Sequence, residues 1–287
     1  MKGGRPRAFA PRQAVAAAAV AILVLVSAPL TAAGIDWSTV LRPATLEFLH
    51  LGNPYQTVGS LGPPWLFVLL TPLALLPVEV GGVVLFWLDL ATWVIVSRKL
   101  GSGSVVNVLA VVTSPMVVNG LLARNVDFLV MWGLLLPPEL AVFFLAIKPQ
   151  VGGVALAYLA VREYRRGGMR RLARIFLIPC LVGVLSFLAY GLKLSDAREA
   201  IDVPWNASPL TCLGWPSLVI GLGVFVYALT RQDSGDGARM SMAATPFFSP
   251  YVGSQSWVSV LPALMKSKAL YLMWAIAWGW IVYVLVR

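Results

Sequence analysis

Apolar runs close to the length that crosses a bilayer, about 20 residues, follow one another along almost the whole chain. Lipid offers no hydrogen-bond partners to an exposed backbone, so segments of this kind cross it as α-helices. We therefore predict an all-α, polytopic membrane protein that forms one domain over residues 1–287, with about ten transmembrane or half-membrane helices. The predicted segments lie near residues 13–33, 63–77, 80–97, 104–122, 125–136, 139–161, 173–192, 212–230, 242–265 and 269–287.

The composition agrees with this prediction. Hydrophobic residues make up 59% of the chain and charged residues 12%, which leaves too little polar surface to cover a water-soluble globule of 287 residues. The net charge of +10 suggests a nucleic-acid partner, but the basic residues form short clusters between apolar runs instead of a stripe mixed with exposed aromatic residues. Membrane topology explains the charge better, and we expect no nucleic-acid partner.

Several of the predicted segments are short or contain proline. Broken helices occur in membranes only where neighbouring helices or a cavity satisfy the freed backbone groups. The pattern therefore indicates an internal site and not a plain bundle of helices.

Two basic clusters determine the predicted topology, because positively charged loops stay in the cytoplasm. One cluster precedes the first apolar run, which we interpret as an uncleaved helix and not as a signal peptide, since many more runs follow it. The other is the loop 162–174, and with both in the cytoplasm the loops 34–62 and 193–211 lie outside. Two basic pairs then fall on the wrong side, which indicates that some segments are half-helices. These pairs are Arg98 with Lys99 and Lys266 with Lys268.

The outer loop 34–62 contains a candidate helix at residues 43–51 that lies along the membrane. Pro43 is its first residue and Gly52 follows its end. Its apolar residues can rest in the interface while Glu47 and His50 face water or lipid headgroups. The sequence that follows contains too many glycines and prolines to predict regular structure.

Two ionisable residues lie where an apolar surrounding makes a charge costly. Asp36 follows the first apolar run, near lipid headgroups, and from its position it either serves chemistry there or caps the short outer segment. Lys148 lies inside a long apolar run, where an ionisable group indicates function. It either holds a lipid phosphate, with Pro149 opening the helix and Gln150 adding a hydrogen bond, or it reaches the interface or pairs with Asp127.

Three further residues have open interpretations. Arg124 forms an ion pair with Asp127, holds a substrate phosphate, or belongs to a short cytoplasmic loop. His50, the only histidine, either contacts a phosphate or acceptor or is simply solvated. Arg42 lies near Asp36 on the outer loop and is a candidate ligand of a phosphate.

Four local patterns occur in a characteristic order. They are Asp36 after the first apolar run, GNPY at 52–55 followed by two prolines and PLALLP at 72–77, KPQ at 148–150 before an apolar helix and an arginine-rich loop, and SPY at 249–251 followed by LPAL at 261–264. In this order and spacing the chain resembles the bacterial polyprenyl-phosphate-sugar-dependent glycosyltransferases of the GT-C superfamily, most closely the mannosyltransferase-like glycosyltransferase family 87. The resemblance covers most of the chain.

The resemblance implies a GT-C-like membrane fold and an inverting transfer of a hexose, such as mannose. The donor would be a polyprenyl-phosphate sugar and the acceptor a lipid or glycan at the outer face of the bacterial cytoplasmic membrane. Asp36 would be the base that takes the acceptor proton, while the phosphate leaving group needs no strong acid. No metal ion or cofactor is expected. Together, the residue positions and the resemblance predict substrate-binding roles for Arg42, His50, Tyr55, Arg124, Asn125, Lys148, Gln150 and Tyr251.

The chain departs from the family pattern at two places. Family members commonly carry Gly-Gln-x-Asn before the KPQ helix, whereas LLARNVDF here keeps Asn125 but has no Gly-Gln among the residues before it, which include Ala123 and Arg124. After SPY the family usually has an acidic residue or histidine, and residues 254–256 here read Ser-Gln-Ser. Two other functions therefore stay open, a catalytically inactive GT-C-like scaffold or subunit and a lipid or sugar transporter that uses the broken helices around Lys148.

Overall fold

The computed structural model of the protein describes residues 33–57, 59–191, 201–231 and 236–286. Within these ranges the fold is all-α without any β-strand, which confirms the all-α part of the predicted fold class. The helices are α1 (Arg42–Leu49), α2 (Pro64–Ala74), α3 (Val78–Leu100), α4 (Val105–Val112), α5 (Pro115–Ala123), α6 (Asp127–Met131), α7 (Pro138–Leu145), α8 (Pro149–Tyr190), α9 (Pro209–Leu213), α10 (Trp215–Thr230), α11 (Gly237–Phe248), α12 (Leu261–Leu264) and α13 (Ala269–Val286). A π-helical turn, Trp37–Leu41, precedes α1, and short 3-10 helices occupy Pro54–Gln56, Trp132–Leu134 and Ser254–Val260.

Two helices are long and apolar enough to cross a membrane, α3 with 23 residues and α8 with 42 residues. Helices α4 and α5 pass the same test if they count as one span, although they meet at a bend of 57°. These helices support membrane association. The predicted number of about ten membrane segments is not confirmed by the described part of the chain.

Turns divide three of the predicted segments. The segment 125–136 contains only the five residues of α6 and a 3-10 turn, and the segment 139–161 is interrupted between α7 and α8. The segment 242–265 is divided among the end of α11, a 3-10 helix and α12. Proline follows the break at Lys148 and lies within the break after Phe248, so these two interruptions agree with the broken helices that the prolines indicated.

The loops are also partly different from the prediction. The supposed cytoplasmic loop 162–174 is helical and belongs to α8, which bends where Gly167 and Gly168 leave helical geometry. The predicted helix 43–51 is present as α1, which ends at Leu49, and the chain is already helical from Ile35 onward. Its location along the outer face stays a prediction. The first predicted segment, 13–33, lies outside the described residues except for Ala33, as does the 193–200 part of the predicted loop 193–211.

Contacts at the two ends of α3 show which parts of the chain lie at each end of this helix. At its start, the indole nitrogen of Trp37 donates a hydrogen bond of 2.9 Å to the carbonyl oxygen of Val78. At its end, Arg239 Nη1 donates a bond of 3.0 Å to the carbonyl oxygen of Leu100. A helix of 23 residues is roughly 35 Å long, so Asp36 and Arg239 lie near opposite ends.

The basic pairs that contradicted the predicted topology lie at the Arg239 end. Arg98 and Lys99 are in the last turn of α3, and Lys266 pairs at 3.0 Å with Asp236, which also binds Arg239 at 2.6 Å. Both pairs therefore lie at the same end of α3 as Arg239, and the side of the membrane on which this end lies stays a prediction.

Two tryptophans of α13 close the bend between α4 and α5. The indole nitrogen of Trp278 donates a hydrogen bond of 2.9 Å to the carbonyl oxygen of Thr113, and that of Trp274 donates one of 3.0 Å to its hydroxyl. Pro115 lacks an N–H group and cannot continue the helical hydrogen bonding of α4. A backbone group freed by the break thus has a partner, as lipid surroundings require.

We expect Trp278→Phe to lower the stability of the purified protein by about 1 kcal/mol, because the carbonyl oxygen of Thr113 loses its donor while the ring is kept. Thermal unfolding in detergent measures this change. The matched control is Trp280→Phe, an exposed tryptophan on the same helix. Equal effects of the two substitutions would show that the bond to Thr113 contributes nothing.

Candidate functional site

Asp36 lies immediately before the π-helical turn and is half-buried. Gly34, two residues earlier, has a φ of 81°, a conformation that favours glycine, and a Cβ there would lie 2.8 Å from the carbonyl oxygen of Ala123. This close approach brings the Asp36 segment against the end of α5. The Asp36 side chain makes no capping hydrogen bond to its own turn, so its carboxylate is directed to other partners.

Side chains from four separate parts of the chain meet at Asp36 and form what we call the Asp36 network. Asn125 Nδ2 donates a hydrogen bond of 2.5 Å to Asp36 Oδ2, and Lys148 Nζ donates one of 2.8 Å to Asn125 Oδ1. Lys148 also forms a salt bridge with Asp127 Oδ1. Ser256 completes the network through a hydrogen bond of 3.1 Å from its hydroxyl to Asp127 Oδ2.

Asn125 is the central member of the network. Its Oδ1 atom accepts hydrogen bonds from Lys148 and, at 3.1 Å, from the backbone N–H of Asp127. An amide carries its donors and its acceptor on different atoms, so occupation of the oxygen fixes where the NH₂ group lies. Lys148 and Asp127 therefore hold Asn125 in the orientation that presents its NH₂ group to Asp36.

Local sequence explains how two of these residues reach the site. Lys148 precedes Pro149, and a proline restricts the residue before it to extended geometry. Its φ of −135° and ψ of 95° follow this rule. This extended residue separates helix α7 from helix α8. Arg124 has a left-handed φ of 58° after the end of α5, which reverses the chain just before Asn125.

Burial raises the pKa of the Asp36 carboxyl above its usual value. The positive charge of Lys148 and the hydrogen bond from Asn125 offset this effect only in part, and the negative charge of Asp127 adds to it. A carboxylate with a raised pKa takes up a proton more readily than an exposed one. The carboxylate can therefore act as a base.

The structure brings together three of the predicted site residues, Asp36, Asn125 and Lys148. It also confirms the pairing of Lys148 with Asp127, which the sequence offered as the alternative to a phosphate-binding role. Ser256 was missed as a functional residue. A signal was present, because a serine in an apolar segment stands within the stretch where the resembling family has an acidic residue or histidine.

Arg124 is not part of the Asp36 network. Its side chain is buried, lies over the ring of Phe86 with 4.6 Å to the centroid, and donates to the carbonyl oxygen of Leu121. Its Nε atom is buried without a partner among the described residues. The guanidinium is thus directed into the helix packing, and the substrate-binding role of Arg124 stays a prediction.

The other predicted substrate-binding residues lie outside the network. Arg42 donates a hydrogen bond of 3.3 Å to the carbonyl oxygen of Leu76, and the Tyr55 hydroxyl lies 3.3 Å from that of Ser186. His50 is exposed at the end of α1, while Gln150 and Tyr251 are half-buried. Their substrate-binding roles stay predictions.

Two cavities are lined in part by residues that neighbour members of the network in sequence. One of about 500 Å³ is lined by Gly34, Ser38 and Asn119 among others, so it borders the Asp36 segment, although Asp36 itself is not part of its wall. The second, of about 430 Å³, is apolar and is formed by leucines of α2, α3 and α7 with Phe128 and aromatic neighbours. Because Phe128 directly follows Asp127, the apolar cavity and the polar network share helix α6.

Among the described residues, no group of three or more histidine, cysteine, aspartate or glutamate side chains could hold a metal ion. No family model matches the chain. No curated protein and no solved structure matches it either. The fold and the network therefore define an all-α protein with candidate membrane helices and a buried acid–amide–lysine cluster.

Proposed function

We propose that the protein is a membrane glycosyltransferase that moves a mannose-like hexose from a polyprenyl-phosphate donor to a lipid or glycan acceptor. One observation carries the proposal: the Asp36 carboxylate does not cap its helix and is held instead by Asn125 and, through it, Lys148. In such an enzyme a positioned carboxylate is the group that the chemistry requires. The active site lies at the outer face of the bacterial cytoplasmic membrane, at the end of α3 opposite to Arg98 and Lys99.

The reaction uses Asp36 as a general base. The acceptor hydroxyl gives its proton to the carboxylate while its oxygen attacks the anomeric carbon of the sugar. The bond between that carbon and the phosphate oxygen breaks on the opposite face, and its electron pair leaves with the polyprenyl phosphate. The configuration is inverted, and no acid is needed because phosphate is a good leaving group.

Lys148 supports the phosphate that leaves. An ammonium group has three protons, and two of them are directed to Asn125 and Asp127. The third is free for a phosphate oxygen, and 19% of the side chain is exposed, so a ligand can reach it. A charge-assisted bond to phosphate strengthens as negative charge builds up on the leaving group.

The apolar cavity beside α6 suits the hydrocarbon chain of the donor. Its wall consists of leucines and aromatic residues, and one of them, Phe128, directly follows Asp127 in the sequence. Each buried methylene contributes about 0.8 kcal/mol, so even a few isoprene units give substantial affinity. A lipid with its phosphate at Lys148 would therefore have its chain next to a surface of matching chemistry.

A direct assay tests the proposal. The purified protein is incubated with polyprenyl-phosphate mannose, with other polyprenyl-phosphate hexoses and with membrane lipids as acceptors, and glycosylated products are sought by mass spectrometry. Transfer that depends on both the donor and the protein supports the function. Absence of product from every donor in the panel, with a folded protein, contradicts it.

The raised pKa of Asp36 predicts the pH dependence of transfer. Asp36 accepts a proton only when it is ionised, so the rate falls as the pH drops through its pKa and is constant above it. Because burial raises this pKa, the loss begins at a higher pH than for an exposed carboxyl. A profile of kcat/KM between about pH 4 and 8 measures this. A flat profile would contradict the role of Asp36 as the base.

One observation favours a catalytically inactive scaffold as the second candidate. Lys148 already has a full counter-charge in Asp127, so the network is satisfied without any ligand. In a scaffold the network would hold the helices together, and no substitution in it would affect chemistry. The same assay separates the two candidates, since a scaffold yields no glycosylated product.

A further inference from the structure

Helix α8 bends sharply in its most basic region. Gly167 has φ −161° and ψ 20°, and Gly168 has φ 62° and ψ −160°, a left-handed geometry that favours glycine. A Cβ at Gly167 would also lie 2.8 Å from the side chain of Arg171. The two glycines therefore allow the chain to turn and the arginine after the bend to approach it.

Glu163 joins the two sides of this bend. The carboxylate is completely buried and accepts hydrogen bonds from Arg162 at 2.8 Å and Arg166 at 3.4 Å, both before the bend. Across the bend, Arg171 Nε donates to its other oxygen at 2.5 Å. One negative charge thus holds three arginines in a fixed arrangement and can neutralise only one of them.

The bend keeps a large excess of positive charge. Residues 162–174 contain six arginines and one glutamate, and so carry a net charge of +5. Arg165, Arg170 and Arg174 are exposed and form no ion pair within the described part of the chain. An excess of this size in a fixed position attracts a multivalent or repeated anion.

The neighbours of the arginines indicate where that anion comes from. Tyr164 and Met169 are 51% and 66% exposed in the same stretch, and apolar parts of α8 precede and follow it. Exposed apolar and aromatic side chains among arginines are typical of a surface that contacts lipid headgroups, since the apolar parts enter the interface while the charges meet phosphate. A soluble anion would bind the arginines without contacting Tyr164 and Met169.

We propose that the bend of α8 is a binding site for anionic phospholipid headgroups, in which Glu163 holds Arg162, Arg166 and Arg171 in place and Arg165, Arg170 and Arg174 contact the phosphates. The site shares no residue with the Asp36 network. Lipid binding there does not require that the protein transfer a sugar. Anionic lipid bound there stabilises the bend, because it supplies the counter-charges that Glu163 alone does not.

The test compares binding of phosphatidylglycerol and phosphatidylcholine to the full-length protein in neutral detergent, by native mass spectrometry. The variant R165Q/R170Q/R174Q removes three exposed charges, each of which contributes about fivefold near an anionic surface, so affinity for phosphatidylglycerol should fall roughly a hundredfold. The control R98Q/K99Q/K268Q removes the same charge from exposed residues elsewhere and should change the affinity little.

A second variant tests the role of Glu163. E163Q makes the bend more positive, yet an ordered site predicts weaker binding of phosphatidylglycerol because the three arginines lose their anchor. Unchanged or tighter binding by E163Q would overturn the ordered site. Equal losses in the two triple variants, no preference for phosphatidylglycerol in the parent protein, or displacement of the lipid by millimolar inorganic phosphate would each overturn the proposal.

Discussion

Asp36→Asn is expected to lower sugar transfer by about 100- to 10,000-fold, because the variant loses the only positioned base of the proposed reaction. The amide has nearly the same shape as the carboxylate, and its oxygen still accepts the hydrogen bond from Asn125. Folding and donor binding should therefore be almost unchanged. The turnover number is measured with saturating polyprenyl-phosphate mannose, and thermal unfolding confirms that the variant is folded.

Glu47→Gln is the matched control for this substitution. Glu47 is an exposed carboxylate on the same outer segment and lies outside the Asp36 network. Its replacement removes the same charge from the same side of the molecule, so a general effect of charge would appear in both variants. Wild-type turnover in the Asp36→Asn variant would show that the carboxylate has no chemical role in the reaction that the protein catalyses.

The sequence revealed the main members of the Asp36 network because each belongs to a pattern that is local in the chain. Asp36 follows an apolar run, and Lys148 is a charged residue directly before a proline within one. Both features are visible within a few residues, since a charge in an apolar surrounding and the conformational effect of proline are local properties. These positions could therefore be predicted without knowledge of the fold.

The connections within the network could not be read from the sequence in the same way. Asp36 and Asn125 are 89 residues apart, and Ser256 lies 129 residues from its partner Asp127. Such pairs depend on the packing of whole helices. Arg124 shows the same limit, because its position left an ion pair, a phosphate ligand and a loop residue open, while the fold placed its guanidinium over Phe86.

The number of membrane segments was the weakest part of the prediction. Hydropathy detects that a stretch is apolar, but it does not detect whether the helix is continuous. In the stretch 125–136 the helix ends after five residues, and in 139–161 the chain is extended at Lys148. The second of these breaks is the one that lets Lys148 join the network, and Pro149 had indicated an opening of the helix at this position.

The structure shows two different contacts of the Lys148 ammonium, and each gives the residue a separate role. The ammonium neutralises Asp127, whose side chain is 5% exposed, and it directs Asn125 toward Asp36. Loss of the first role affects stability, because a buried carboxylate is left without its counter-charge. Loss of the second weakens the hold on Asn125, which keeps only the hydrogen bond from the Asp127 N–H, and in the proposed reaction this lowers the rate.

Lys148→Met should therefore lower both stability and transfer. Removing one partner of a buried ion pair lowers stability by several kcal/mol. We expect about 3 kcal/mol here, at the lower end of the usual range, because the lysine is partly exposed. The double variant Lys148→Met/Asp127→Asn has no unpaired charge at position 127 and should recover most of the lost stability, as measured by thermal unfolding. Transfer should stay low in the double variant, since neither Asn125 nor a donor phosphate has an ammonium to bind. If the double variant regained wild-type transfer together with stability, Lys148 would serve only to balance the charge of Asp127.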